Sequence, residues 1–159
     1  MAANVATPCV RNQRSLLVCA LARSYLGDEE DARRLEQEAQ AHAMSGYGTV
    51  LDTPRVQLAL QRGDLATVQS LLGEPSVRRS NWFYLSSMAT HMDGLAALAE
   101  GARVEAAASR LLQPDTYLEP FALRALGLVR EDAGLIERAA DRFEAFGLHW
   151  HAARTRALV

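Results

Sequence analysis

Apolar residues recur along this chain at spacings of three and four, in short stripes interrupted by glycine and proline. Leu16, Leu17, Ala20 and Leu21 share one face of a helix predicted over residues 11–26, and Ala32, Leu35, Ala39 and Ala43 line the next. Gly27 stands between them, where a helix end needs a residue that tolerates left-handed backbone, and Asp28 is placed to cap the helix that follows. Glu29, Glu30 and Asp31 suit the positive helix start, and Glu29–Arg33 and Glu30–Arg34 are i,i+4 pairs, so this charge cluster reads most simply as a solvated face. After a glycine-bearing loop at 45–52, Pro54 fits the first position of a short helix to Arg62, with Thr53 or Asp52 as its cap. Gly63-Asp64 repeats the Gly27-Asp28 device and leads a helix to Leu72. Ser80 or Asn81 can cap a helix to about Glu100 with a candidate break near Thr90, Gly101 turns it, and Val104–Leu112 returns. Thr116 with Glu119 fits a capping box and Pro120 fits a first helical position, two alternative starts for a helix to about Glu131. Helices at Leu135–Phe146 and Leu148–Leu158 complete the chain, and no segment alternates with period two long enough for a strand. The prediction is an all-α fold of about nine helices.

A longer rhythm organises these elements. Gly27, Gly63, Gly101 and Gly134 are separated by 36, 38 and 33 residues. Seven residues before each lies a slim residue (Ala20, Val56, Gly94, Gly127), and five after lies another (Ala32, Val68, Ala106, Ala139). Slim side chains on either side of a tight turn let two helices cross closely. The pattern predicts stacked antiparallel helical hairpins in one domain over residues 8–159, with hairpins at about 11–45, 53–72, 80–112 and 117–146 and a final helix at 148–158. Repeats of this kind are binding scaffolds.

Leu123, Leu126, Gly127, Ala139 and Phe143 resemble the tetratricopeptide signature of a large residue, Leu-Gly, then alanine and an aromatic. Leu16, Ala20, Gly27-Asp28 and Ala32 resemble it in the first repeat, while the middle repeats depart from it, with Asp52 and Thr90 in place of the large anchor and Arg55 and Asp93 in place of leucine. The stretches RSLLVCALARSYLGDEEDARRLEQEA and TYLEPFALRALGLVREDAGLIERAADRFEAFGLHWHAARTRAL are similar to the C-terminal helical-repeat region of large bacterial regulators that join ATPase modules to adenylate-cyclase or LuxR-type output domains. The resemblance implies a TPR-like α-α superhelix and a part in signalling or transcription regulation. It carries over no catalytic residue, because neither a cyclase nor an ATPase domain is present.

Composition narrows the setting. The 159 residues are one domain's worth of chain, able to bury roughly 70% of the unfolded surface. The 17 basic residues are all arginine, and with abundant alanine this points to a GC-rich bacterial genome. A formal charge of −2 gives no field toward nucleic acid or an anionic membrane. Cys9 and Cys19 would lie about 15 Å apart along one helix, too far to bridge, and two unpaired thiols fit a reducing cytoplasm. Met1–Thr7 has no basic residue or apolar core and predicts no leader, and the longest apolar run, Leu16–Ala22, predicts no membrane span.

The chain contains no GxxxxGK[ST], GxGxxG, HExxH, GxSxG or CxxC motif, and the expectation is a protein without catalytic, cofactor or metal site. His149 and His151, two apart on a helix, point in divergent directions and suit capping or surface roles better than a metal; His42 and His91 stand alone as structural residues. Cys19 reads as a buried small hydrophobe, and Trp150 as an anchor of the last helix on Phe143 and Phe146. The cluster Asn81-Trp82-Phe83-Tyr84 is either a recognition patch or, more simply, a clamp at the start of the third hairpin. If the first helix of each hairpin lines a concave side, the groove holds Arg14, Leu17, Leu21 and Tyr25, then Gln57 and Gln61, His91 and Leu95, and Arg124 and Glu131. That lining suits a protein or peptide partner with some negative charge against Arg14 and Arg124. The last helix has no evident partner in the sequence, so a homodimer through an uncapped repeat end is expected. The alternatives are a small-molecule effector sensor, marked by a closed apolar pocket, and an RNA reader, which the balanced charge and absence of lysine disfavour.

Overall fold

The computed structural model describes residues 9–42, 48–72 and 84–159. Every regular element among them is an α-helix: α1 (Val10–Tyr25), α2 (Glu29–Ala41), α3 (Gly48–Arg62), α4 (Leu65–Leu71), α5 (Tyr84–Ala97), α6 (Gly101–Ala108), α7 (Glu119–Arg130), α8 (Ala133–Ala145) and α9 (His149–Arg156). They fall into two compact units, Met1–Ser76 with α1–α4 and Val77–Val159 with α5–α9.

One backbone device closes five of the helices. Gly27, Gly63, Ala99, Glu131 and Gly147 each take a left-handed φ, between +53° and +82°. The N–H of the residue after each donates to a carbonyl five residues back: Asp28 to Arg23, Asp64 to Ala59, Glu100 to Leu95, Asp132 to Gly127 and Leu148 to Phe143, all at 2.8–3.0 Å. This is the Schellman closure, which satisfies orphan carbonyls of the outgoing helix and reverses the chain in two residues. The same residue then caps the incoming helix; the Asp28, Asp64 and Asp132 carboxylates accept the N–H of Asp31, Thr67 and Leu135. Four residues beyond the cap a side chain is buried at every junction: Ala32, Val68, Val104, Ile136 and Ala152.

The structure shifts the sequence phase in the second unit. The left-handed positions are Ala99 and Glu131, not Gly101 and Gly134, which instead lie inside the first turns of α6 and α8. Counted from the true junctions, the seven-before positions are Ala20, Val56, Met92 and Arg124, all buried. The expected glycine rhythm of 36, 38 and 33 becomes 36, 36 and 32 between residues 27, 63, 99 and 131.

In the first unit α1 packs on α2 and α3, and α3 on α4, around Leu17, Ala20, Leu21, Ala39, Leu51 and Leu58. Pro54 does not start α3; the helix begins at Gly48 and carries Pro54, buried, in its interior. The acidic start of α2 is more than a solvated face. Arg62 of α3 binds both Glu29 and Glu36 (the latter at 2.5 Å), and Ser24 donates to Glu29 at 2.9 Å, tying three helices together. Glu29–Arg33 pairs at 3.6 Å as expected, whereas Arg34 turns to Asp31 at 2.5 Å and Glu38 at 3.4 Å rather than to Glu30. Cys19 is exposed, because the inward face of α1 passes through Leu17, Ala20 and Leu21 and leaves Val18 and Cys19 outside.

In the second unit α5 packs on α6 and α7, α6 on α7, α7 on α8, and α8 on α9. α5 runs unbroken through Thr90. α7 begins at Glu119 with Pro120 in its first turn, and the Glu119 carboxylate reaches back to the Asp115 N–H at 3.0 Å, one residue beyond the expected capping box; Thr116 donates to the Gln113 carbonyl instead. At Gly127 α7 and α8 cross closely: a Cβ there would lie 2.6 Å from Ile136 Cγ1 and 3.0 Å from the Ile136 amide nitrogen. Trp150 does not anchor α9. It is 43% exposed, with the Arg154 guanidinium 4.7 Å from its ring centroid, and His151 takes the inward place. Ser80, Asn81, Trp82 and Phe83, for which capping and clamping roles were expected, lie outside the described residues, as does the Tyr84 side chain.

Candidate functional site

Of the ten residues assigned to a groove, Leu17, Leu21 and Leu95 are buried in the core, and the seven polar ones divide between the units. Arg14 and Tyr25 of α1 and Gln57 and Gln61 of α3 are half-buried in the first. Arg14, Tyr25 and Gln61 are each already engaged by polar, ionic or ring interactions. In the second unit His91 is buried in α5 and also engaged. Glu131 is exposed, but as the left-handed residue that ends α7 rather than on a helix face. Arg124 is 7% exposed and faces the interior, so it offers no guanidinium to an outside anion.

Arg124 is the centre of a buried polar cluster that the sequence reading did not assemble. Its Nη2 donates to both Asp93 carboxylate oxygens at 2.6 and 2.7 Å, and its Nε to Oδ1 at 3.2 Å. Its Nη1 donates to Thr155 Oγ1 at 3.1 Å, and that hydroxyl donates onward to the His151 carbonyl at 2.7 Å. The guanidinium also lies 5.3 Å from the Phe121 ring centroid and 4.9 Å from that of Phe143. His151 stacks on Phe143 at 5.1 Å and meets Phe121 edge-on at the same distance. Burial, reinforced by the Arg124 cation and opposed by Asp93, lowers the His151 imidazole to about 4. Burial and the Asp93 carboxylate raise the Tyr117 hydroxyl above its ordinary value. The cluster therefore joins α5, α7 and α9 through one bidentate ion pair and a neutral imidazole. It has no activated nucleophile, and its chemistry is that of a structural clasp. A signal existed in the sequence: Asp93 stands where the repeat calls for leucine, and Arg124 stands 31 residues later.

On another side of the same unit, α6, α7 and α8 frame a cleft of about 390 Å³. Its floor is apolar, made by Ala108, Leu123, Leu126 and Leu135, with Leu112 at one side 39% exposed. Four charged side chains rim it. Glu105 is held by Arg130 through two bonds of 2.6 and 2.5 Å, which lower the carboxyl below its ordinary value. Glu119 is held by Arg142 at 3.0 Å, and Arg142 also binds Asp115 at 2.5 Å. Among the described residues Arg138 makes no ion pair or hydrogen bond through its guanidinium, and it lies one turn from Arg142, a second cation on the same face of α8. The sequence reading passed over this cleft because its floor comes from ordinary leucines of α7 and α8 and an alanine of α6, which periodicity assigns to the core without saying that one edge stays open.

Among the described residues no group of three or more His, Cys, Asp or Glu side chains is placed to hold a metal ion, and no helix is long and apolar enough to cross a membrane. No protein-family model, no curated protein and no solved structure matches the chain.

Proposed function

We propose that the chain is a non-catalytic protein-interaction module built of tetratricopeptide-like helical hairpins, part or relative of a bacterial multidomain regulator acting in the cytoplasm. The observation that carries the reading is the recurrence of one Schellman junction at residues 27, 63, 99 and 131, each with a buried residue seven before and another five after. A chain that repeats one supersecondary unit presents the same surface elements in series, the arrangement used by repeat proteins that bind other proteins. The second unit supplies a surface suited to that work in the α6–α7–α8 cleft. Its open side and its buried floor leucines favour side chains of a docked partner over an enclosed small ligand, so the interaction reading stands ahead of an effector sensor.

The test is quantitative affinity capture from lysate of the source organism with the full chain as bait. The control bait carries Gly127→Val, which drives a branched side chain into Ile136 and breaks the α7–α8 crossing. A partner that saturates the native bait and is lost from the control is the expected result. No saturable partner, or partners shared equally by both baits, overturns the reading.

A further inference from the structure

We infer that the α6–α7–α8 cleft docks a partner segment in which one or two branched apolar side chains adjoin an acidic residue. The inference rests on the module reading and names the partner class for its cleft. The apolar part of the specificity comes from the floor. Leu123, Leu126 and Leu135 come from two crossing helices, and Leu112 extends the same surface outward at the end of the α6 arm. A cleft of about 390 Å³ admits one or two side chains of leucine size and is too small for a whole amphipathic helix.

The acidic part comes from the charge balance of the rim. Glu105 is neutralised by Arg130 in a bidentate pair, and Glu119 shares Arg142 with Asp115. Both acidic groups at the cleft are thus occupied, and a cationic ligand group would have to displace an arginine to reach either. Arg138 alone among the rim charges has a guanidinium with no partner among the described residues. An incoming carboxylate gains a charge-assisted, fork-shaped contact there without breaking an existing one. A single open cation beside an apolar floor is also the wrong arrangement for a nucleic-acid backbone, which needs a track of several.

The experiment selects random dodecapeptides from a display library against the biotinylated full chain, then measures enriched peptides by fluorescence anisotropy. The expected peptides carry Leu, Ile or Val next to Asp or Glu. Their affinity should fall about tenfold with Arg138→Glu and at least as much with Leu112→Asp, while Arg138→Lys costs only about threefold. Both positions are exposed, and circular dichroism is run on each variant first to establish that it keeps its helices. Failure to enrich peptides over the streptavidin background overturns the inference. So does enrichment of basic or wholly polar peptides, or binding that none of the three variants changes. A protein partner captured by the native chain and retained by Arg138→Glu and Leu112→Asp removes the cleft assignment but leaves the module reading intact. Absence of any partner for the native chain removes the module reading itself.

Discussion

The two units close their helical hairpins with the same backbone and different residues. In the first unit the left-handed position is glycine and the core position seven residues before it is small or slim: Gly27 with Ala20, Gly63 with Val56. In the second, the α5–α6 and α7–α8 turns put Ala99 and Glu131 at the left-handed position, with Met92 and Arg124 at the core positions, and only the α8–α9 turn keeps the glycine form, Gly147 with Ala140. The amide-to-carbonyl closure is nonetheless 2.8–3.0 Å in all five. Glycine therefore marks the turn without being required for it. The turn is held by what flanks it: the 6→1 hydrogen bond, the acidic residue that heads the next helix, and a fully packed side chain one turn further on. Tertiary packing supplies what the local residue does not, and a non-glycine left-handed residue, worth about 1–2 kcal/mol of strain, is carried along.

The largest effect that would break this comparison lies at Arg124, the one charged residue among the five core positions. Arg124→Ala leaves Asp93 without its cation and empties a packed site, and is expected to cost about 3 kcal/mol in chemical denaturation. The value sits at the low end for a buried pair because Asp93 keeps 27% of its side chain in solvent. The double change Arg124→Met with Asp93→Leu gives the second unit the apolar content of the first, and is expected to restore stability to within about 1 kcal/mol of the parent or better. If the double variant is as unstable as Arg124→Ala, the ion pair is a requirement of this hairpin rather than a tolerated replacement.

His151 makes the same clasp sensitive to acid. Its folded value of about 4 lies below the roughly 6.5 of an unfolded histidine. Between those limits the unfolded chain holds a proton that the folded chain does not. The stability contributed by neutral His151 is thus complete above about pH 6.5 and is lost as pH falls toward 4. Carboxylates lowered by their partners, such as Glu29, Asp64 and Glu105, lose their contribution only as pH falls into the ordinary carboxylate range, while Asp52, raised by burial, binds its proton earlier in the folded chain and works in the opposite direction. Denaturation midpoints should therefore decline from pH 6.5 to 4.5 in the parent and stay nearly level in His151→Phe. Equal declines in the two proteins would assign the acid sensitivity elsewhere.

A third test addresses the α7–α8 crossing. Gly127→Ala places a methyl 2.6 Å from Ile136 Cγ1 and 3.1 Å from the Asp132 carbonyl oxygen, and backbone on one side prevents easy relief. The expected loss is about 2 kcal/mol, partly recovered by Ile136→Val, which withdraws the nearest side-chain atoms. A neutral Gly127→Ala would mean that the helices can separate at no cost, and that close approach does not define this hairpin.

Much of the fold was legible because its determinants are local. The Gly27-Asp28 and Gly63-Asp64 pairs, the helical stripes and the small residues Ala32 and Gly127 act within one hairpin, where spacing along the chain is spacing in space. Gly101 and Gly134 misled by two and three residues, since they sit just inside helices whose left-handed turns fall on Ala99 and Glu131. Nothing about an alanine or a glutamate announces a positive φ. The binding surface was less legible for a different reason. From sequence Arg124 reads as a groove cation because arginine usually is exposed, and only its distant partners Asp93 and Thr155 place it inside. Asp52 and Arg55, the corresponding departures in the second repeat, pair at 3.9 Å within one helix instead. Of the residues that break the pattern, Asp52 and Arg55 thus pair with each other inside α3, while Asp93 finds Arg124 on another helix, a complementarity that periodicity alone does not weigh.

The smallest effects are the sharpest test of the opening comparison, since they exchange the two kinds of junction directly. Gly27→Ala and Gly63→Ala meet no atom within 4 Å of the new Cβ, so any cost is backbone strain alone, expected at about 1 kcal/mol. The reverse changes, Ala99→Gly and Glu131→Gly, relieve strain at φ of 54° and 53° while adding freedom to the unfolded chain, and should stabilise by about 0.5 kcal/mol. Hydrogen exchange at Asp64 and Glu100, whose amides close the second and third junctions, reads each exchange at its own turn. If the glycine-to-alanine changes prove neutral, the turns of the first unit are as fully dictated by packing as those of the second, and the glycines there are incidental. If they cost 1 kcal/mol while Ala99→Gly gains nothing, the packing after Glu100 already compensates its strain, and the second unit is the more strongly determined of the two.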